Sequence, residues 1–264
     1  MPATFPSHQA AVLPLKLWRP RWFDGVALVA GSAAPDAAYP LAGFVSLPEN
    51  HTWWGLLWFS LPVAYVATLV IRWAAPGVAA HLPTGGPLRL RDYGVLGLVR
   101  HPWYVTVWSI LIGAVSHLVW DAFTHPPAGS NSWGVRAVPW LATTGPWDQQ
   151  WWFIVQHGST LVGAVGFAAM LSHIGRTGAL RRWHGAPPPV PVAMGRFWGT
   201  AAVVLVAVLA PLPLLPFAYS AHVTGVRVLY APALALIAGA FAARVPARRK
   251  RDPTVPGHRP VRRP

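Results

Sequence analysis

The chain has 264 residues, 54% of them hydrophobic and 11% charged, with 16 Trp, 29 Pro and no cysteine. That balance excludes an ordinary soluble domain, and the absence of cysteine excludes disulfides and thiolate metal sites, so any bound metal must be held by His, Asp or Glu. The formal net charge of +14 lies in loops and the tail rather than on one helical face, which argues against nucleic acid as a partner and for membrane lipids.

Several apolar runs approach the ~20 residues needed to cross a bilayer. The expected fold is all-α: a polytopic membrane helical bundle of about five full spans preceded by a short N-terminal helical hairpin. Residues 1–243 are expected to form one membrane-embedded domain, followed by a basic, disordered tail over 244–264. The first residues lack the basic n-region of a cleaved signal peptide. Residues 5–17 and 24–35 are two apolar pieces too short for full spans, and a tilted or re-entrant hairpin is expected of them. A full span over 53–71 contains Pro62 and stops at Arg72.

A basic connector over 72–102 carries Arg72, Arg89, Arg91 and Arg100, and a second span covers 103–124. Loop 126–150 holds Arg136 as its one base; a third span follows over 151–172, and loop 173–196 is basic again. Residues 197–218, interrupted by Pro211, Pro213 and Pro216, and 226–243 make a final apolar pair. By the positive-inside rule the basic loops and the C-terminal tail are cytoplasmic, and loops 126–150 and 219–225 lie outside. Trp53, Trp54, Trp103, Trp151 and Trp152 at span ends read as an interfacial aromatic belt.

The stretch from Ser116 to His125 carries the chemistry. A helix places His117, Asp121 and His125 within an arc of about 80°, so one face holds two imidazoles and a carboxylate. Ionisable groups in so apolar a segment must pair, reach water or bind a cation. The topology also puts His51, His125 and His157 at outer helix ends, and it sends His8 and Asp36 outward if Lys16, Arg19 and Arg21 lie inside. The expected metal ligands are therefore His8, Asp36, His51, His117, Asp121 and His125, with Zn²⁺ or another divalent ion between them. Asp121 and His125 are the expected catalytic groups, and Gln156, His157 and Ser159 are expected to face the substrate or support the ligands. The remaining histidines, His81, His101, His173, His184, His222 and His258, read as ordinary loop residues.

Several strings carry a resemblance: Thr4…Ser7-His8, Gly31-Ser32-Ala33-Ala34-Pro35-Asp36, His51-Thr52-Trp53-Trp54-Gly55-Leu56, Gly113 through His125, and Gln156-His157-Gly158-Ser159. Over about residues 1–172 the chain resembles a bacterial membrane family catalogued as domain-of-unknown-function family 4184. Ser60 departs from it, since such sequences often carry an acidic residue there. The resemblance implies a multi-pass protein of the bacterial cell membrane.

The order His, Asp, His, His-x-x-x-Asp, His is also similar to that of membrane-bound metal-dependent hydrolases and, more remotely, to the zinc phospholipase C and nuclease group. That likeness implies a metal-activated water attacking a phospholipid or lipid-linked phosphodiester at the outer face. Three alternatives stay open: a non-catalytic protein with a structural metal site or hydrogen-bond network, a transporter or proton relay, and bis-histidine haem binding.

Overall fold

The structure, a computed structural model, describes residues 4–46, 49–128 and 131–245; the tail beyond 245 lies outside the described residues. Among the described residues the fold is all-α, with two isolated β-bridges and no strand. The N-terminal hairpin is present as α1 (Thr4–Trp18) and α2 (Gly25–Ala33), which pack on each other. At 1.5 Å per residue neither crosses ~30 Å of hydrocarbon. Asp24 starts α2 as its N-cap, accepting from the Ala27 backbone N–H at 3.3 Å. After α2 a 3₁₀ segment, Ala34–Leu41, carries Asp36.

Among the described residues five helices are long and apolar enough to cross a membrane, as a multi-pass protein requires: α3 (Trp53–His81), α4 (Trp103–Thr124), α5 (Trp151–Thr177), α6 with its extension (Met194–Leu214) and α7 (Ala221–Arg244). Their outward faces expose Leu69, Leu161, Val165, Val206 and Leu234, the exterior that a hydrocarbon solvent accepts and water does not. The helical part of α6 ends at Leu209, and Leu212–Leu214 continues as a 3₁₀ turn where Pro211 and Pro213 deny backbone donors. Short helix Ala179–His184 follows α5.

The first span does not stop at Arg72. It continues ten residues, to His81, because Arg72 is buried and paired with Asp24, which also accepts from Thr106 Oγ1 at 2.9 Å. A cation neutralised in this way is no longer a stop signal. Pro62 is accommodated by a π-turn over Leu56–Ser60, which widens the helix where the proline ring would meet the preceding turn. His81 is not a loop residue: its Nδ1 bonds Gly77 O at 2.7 Å, its Nε2 accepts from Ala193 N–H at 2.9 Å, and its ring stacks on Phe197 at 4.3 Å.

Helices α2 and α4 pack closely, and their contact is built on glycine. A Cβ on Gly31 would stand 2.2 Å from Ile110 O, and one on Gly113 would stand 2.4 Å from Leu28 O. Without side chains at these two positions the backbones touch, the small-residue packing that membrane helices favour. A third such approach occurs where α5 crosses α1, a Cβ on Gly163 falling 2.8 Å from Ser7 Cβ. Buried Arg227 then fixes the Asp36 segment to α7, donating to Pro40 O at 3.2 Å, Ala42 O at 2.9 Å and Pro216 O at 2.7 Å.

Candidate metal centre

The Gly31–Gly113 contact sets the register of the site. It brings the Ser32 carbonyl to 2.8 Å from Nδ1 of His117, one turn along α4 from Gly113. A carbonyl can only accept, so the proton of a neutral His117 sits on Nδ1 and Nε2 carries a lone pair. That Nε2 is fully buried, without a hydrogen-bond partner, 3.1 Å from Asp121 Oδ2 and 3.6 Å from Asp36 Oδ1.

His51 repeats the pattern. Thr52 caps α3 by accepting from Gly55 N–H at 3.0 Å, which leaves the His51 ring free to turn inward. Asn50 donates its amide to Pro35 O, so its Oδ1, 3.0 Å from His51 Nδ1, accepts from that nitrogen. His51 Nε2 therefore faces Asp36 Oδ1 at 2.9 Å and Asp121 Oδ2 at 3.9 Å. The third imidazole, His8, stacks on His117 with centroids 4.1 Å apart and presents Nε2 at 3.6 Å from Asp121 Oδ1.

Two neutral rings with Nδ1–H engaged elsewhere present lone pairs to carboxylate oxygens. This is repulsive unless a cation lies between them, either a proton or a metal. The spacing suits a metal. Two sets of donor atoms, His8–His117–Asp121 and Asp36–His51–His117, each lie within 4.8 Å of one another, against about 3.4 Å between ligands of a tetrahedral zinc at 2.0–2.1 Å bond lengths. His117 belongs to both sets and has one free nitrogen, so it serves one ion. The carbonyl behind His117 and the amide behind His51 are the outer partners that metal-bound imidazoles ordinarily have. Burial opposes ionisation of Asp36, but His117 and His51 in their protonated forms outweigh it and hold its carboxyl below the usual range.

Of the nine expected site residues, the structure brings five together: His8, Asp36, His51, His117 and Asp121. His125 stands at the edge. Its Nδ1 lies 3.1 Å from the Asp121 backbone carbonyl and 3.6 Å from Asp121 Oδ1, it belongs to neither donor set, and its Nε2 is buried and unpartnered. Gln156 is buried in α5. Ser159 accepts from Trp120 Nε1 at 3.2 Å, and Trp120 meets the His8 ring edge-on at 5.8 Å, so it supports the cluster through one intervening ring. His157 turns away: it is exposed, bonded to Phe153 O at 2.9 Å within its own helix.

Sequence reasoning passed over Asn50, the Ser32 carbonyl, Trp120 and Tyr39. Tyr39 borders a groove of about 510 Å³ shared with Phe217 and His222, and its ring lies 5.9 Å from His51. Burial, followed by Asp36 and Asp121, pushes its hydroxyl well above the ordinary tyrosine range. Ser60 has a fully buried Oγ with no hydrogen-bond partner.

A domain family described as "Domain of unknown function (DUF4184)" matches residues 1–247. The chain belongs to the DUF4184 family. No curated protein and no solved structure matches it. The DUF4184 match takes in every residue of the cluster and all five long helices.

Proposed function

We propose that this DUF4184 protein is a membrane-bound, metal-dependent hydrolase acting on a phospholipid or lipid-linked phosphodiester at the non-cytoplasmic end of the bundle. One observation carries the reading: the unpartnered Nε2 of His117 lies between two carboxylates while its other nitrogen is fixed by a carbonyl. His8, Asp36, His51, His117 and Asp121 would hold the ion, and their N/O set suits Zn²⁺ or a similar divalent metal. Such an ion supplies Lewis acidity toward a phosphoryl oxygen. His125 retains an unengaged Nε2 that would take the proton of the attacking water and pass it to the leaving oxygen. Tyr39 borders the groove beside His51, where substrate approaches from the bilayer.

A second reading, a closed structural metal site, is favoured by the burial of the ligands: His117 is 0% exposed and Asp121 5%. Catalytic metals keep one position open. Elemental analysis of detergent-purified protein, paired with hydrolysis of a chromogenic phosphodiester and of phosphatidylglycerol, separates the two. Bound metal with turnover abolished by Asp121→Asn supports the hydrolase. Bound metal without any phosphodiester cleavage supports the structural site, and metal-free wild type sinks both.

A further inference from the structure

At the other end of the bundle lies a groove of about 720 Å³ lined by Arg19, Arg21, Arg100, Arg182, His101 and His184. From Trp103, just past this groove, to Asp121 is eighteen residues of α4, about 27 Å at 1.5 Å per residue, so the groove and the His/Asp cluster are separate sites. Among the described residues no carboxylate pairs with any of the four guanidiniums. The acids nearest in the fold are already engaged: Asp24 with Arg72, Thr106 and the Ala27 N–H, and Asp92 with Arg181. Lys16, behind the Trp183 ring at 5.6 Å, is already held by Pro20 O and Phe23 O and does not line the groove.

Two features distinguish this groove from an ordinary solvated basic face. His101 lines the groove with an imidazole whose Nε2 is buried and has no hydrogen-bond partner. Trp18 and Trp22 are exposed at the rim, at 68% and 65%, and Trp183 lines the wall, so the groove has the aromatic fringe of the headgroup level. Forked guanidiniums match the paired oxygens of a phosphate, and at the headgroup level of a bilayer phosphate is the abundant anion.

We propose that this groove is a phosphate-binding site, occupied by the phosphate of an anionic lipid headgroup or by soluble phosphate. It is independent of the metal-centre reading, since it shares no residue with it. The geometry fits the headgroup of a lipid in the leaflet at the basic end, where the juxtamembrane arginines meet the bilayer.

The test is native mass spectrometry on delipidated protein given phosphatidylglycerol or phosphatidylcholine, each with and without inorganic phosphate. Preferential retention of phosphatidylglycerol, undisturbed by inorganic phosphate, identifies the lipid headgroup. Displacement by inorganic phosphate identifies the soluble anion, and both results support the site. Each of Arg100→Gln and Arg182→Gln should weaken retention about fivefold, the equivalent of ~1 kcal/mol per surface arginine, whereas Arg136→Gln in the opposite loop should leave it unchanged. Single variants Arg19→Gln and Arg21→Gln, on the same exposed lining, serve if those two do not fold. Equal retention of both lipids with no phosphate binding, or a preference that survives the arginine variants, overturns the proposal.

Discussion

His117 Nε2 lies 3.1 Å from Asp121 Oδ2, one helical turn away, while Nδ1 of the same ring meets the Ser32 carbonyl at 2.8 Å. The two contacts together make His117 a ligand in waiting. A protein that binds metal only when folded gains stability from it, about 4 kcal/mol at a thousandfold excess over Kd. Chelation should therefore lower the thermal midpoint of wild type in detergent. It should have little effect on Asp36→Asn or Asp121→Asn, which hold one carboxylate fewer. A chelator-insensitive wild type in differential scanning fluorimetry would count against the site.

Asn50 works through His51. Its Oδ1 holds the His51 Nδ1 proton while its amide is held by Pro35 O. Asn50→Leu should weaken metal affinity by roughly 10–100-fold, as loss of an outer partner does elsewhere. The protein should still fold, and a zinc-dye competition assay would read the change.

The contact between α2 and α4 should tolerate no side chain. Gly31→Ala and Gly113→Ala each place a Cβ against backbone and should cost about 1–3 kcal/mol. Both should also lower metal content, because they lift Ser32 off His117. Gly158→Ala, whose Cβ meets nothing, is the neutral control.

The buried Asp24–Arg72 pair gives a double-mutant cycle. Removing one partner leaves an uncompensated charge and should cost about 3–5 kcal/mol. The pair Asp24→Asn with Arg72→Met should cost less than the two singles summed. Additive losses in thermal unfolding would show that the two side chains are not coupled.

Burial, then Lys16 and His101, lowers the pKa of His184 to about 4 in the folded protein, against an ordinary value of 6.5. The unfolded chain then takes up this proton first as pH falls. Its contribution to stability is full above about 6.5 and is lost as pH falls through that value toward 4. Asp24 opposes the shift and Arg72 adds to it. His184→Gln should flatten the fall in thermal midpoint between pH 7 and pH 5.

Helix number and the ends of α4 were legible because apolar run length is a local property. Arg72 was misread as a stop because its partner, Asp24, is 48 residues away and invisible to any window. The gathering of His8, Asp36, His51, His117 and Asp121 could be anticipated from the alternation of basic and base-poor loops, which assigns helix ends to two sides. Helix phase was less accessible. His157 shares α5 with Gln156, yet Gln156 is buried and His157 exposed, and the weak amphipathicity of that helix gives no guide to which faces inward. Ser32 acts through its main chain, which no side-chain motif records.

The widened turn at Leu56–Ser60 amounts to one residue more than a regular helix would use. One residue is about 100° of rotation about the axis, so the Thr52 end of α3 is indexed against the remainder of that helix by the length of this turn. A one-residue deletion there would swing the His51 ring out of line with Asp36 while leaving hydropathy and composition almost untouched. Phase, more than chemistry, decides which imidazoles can meet.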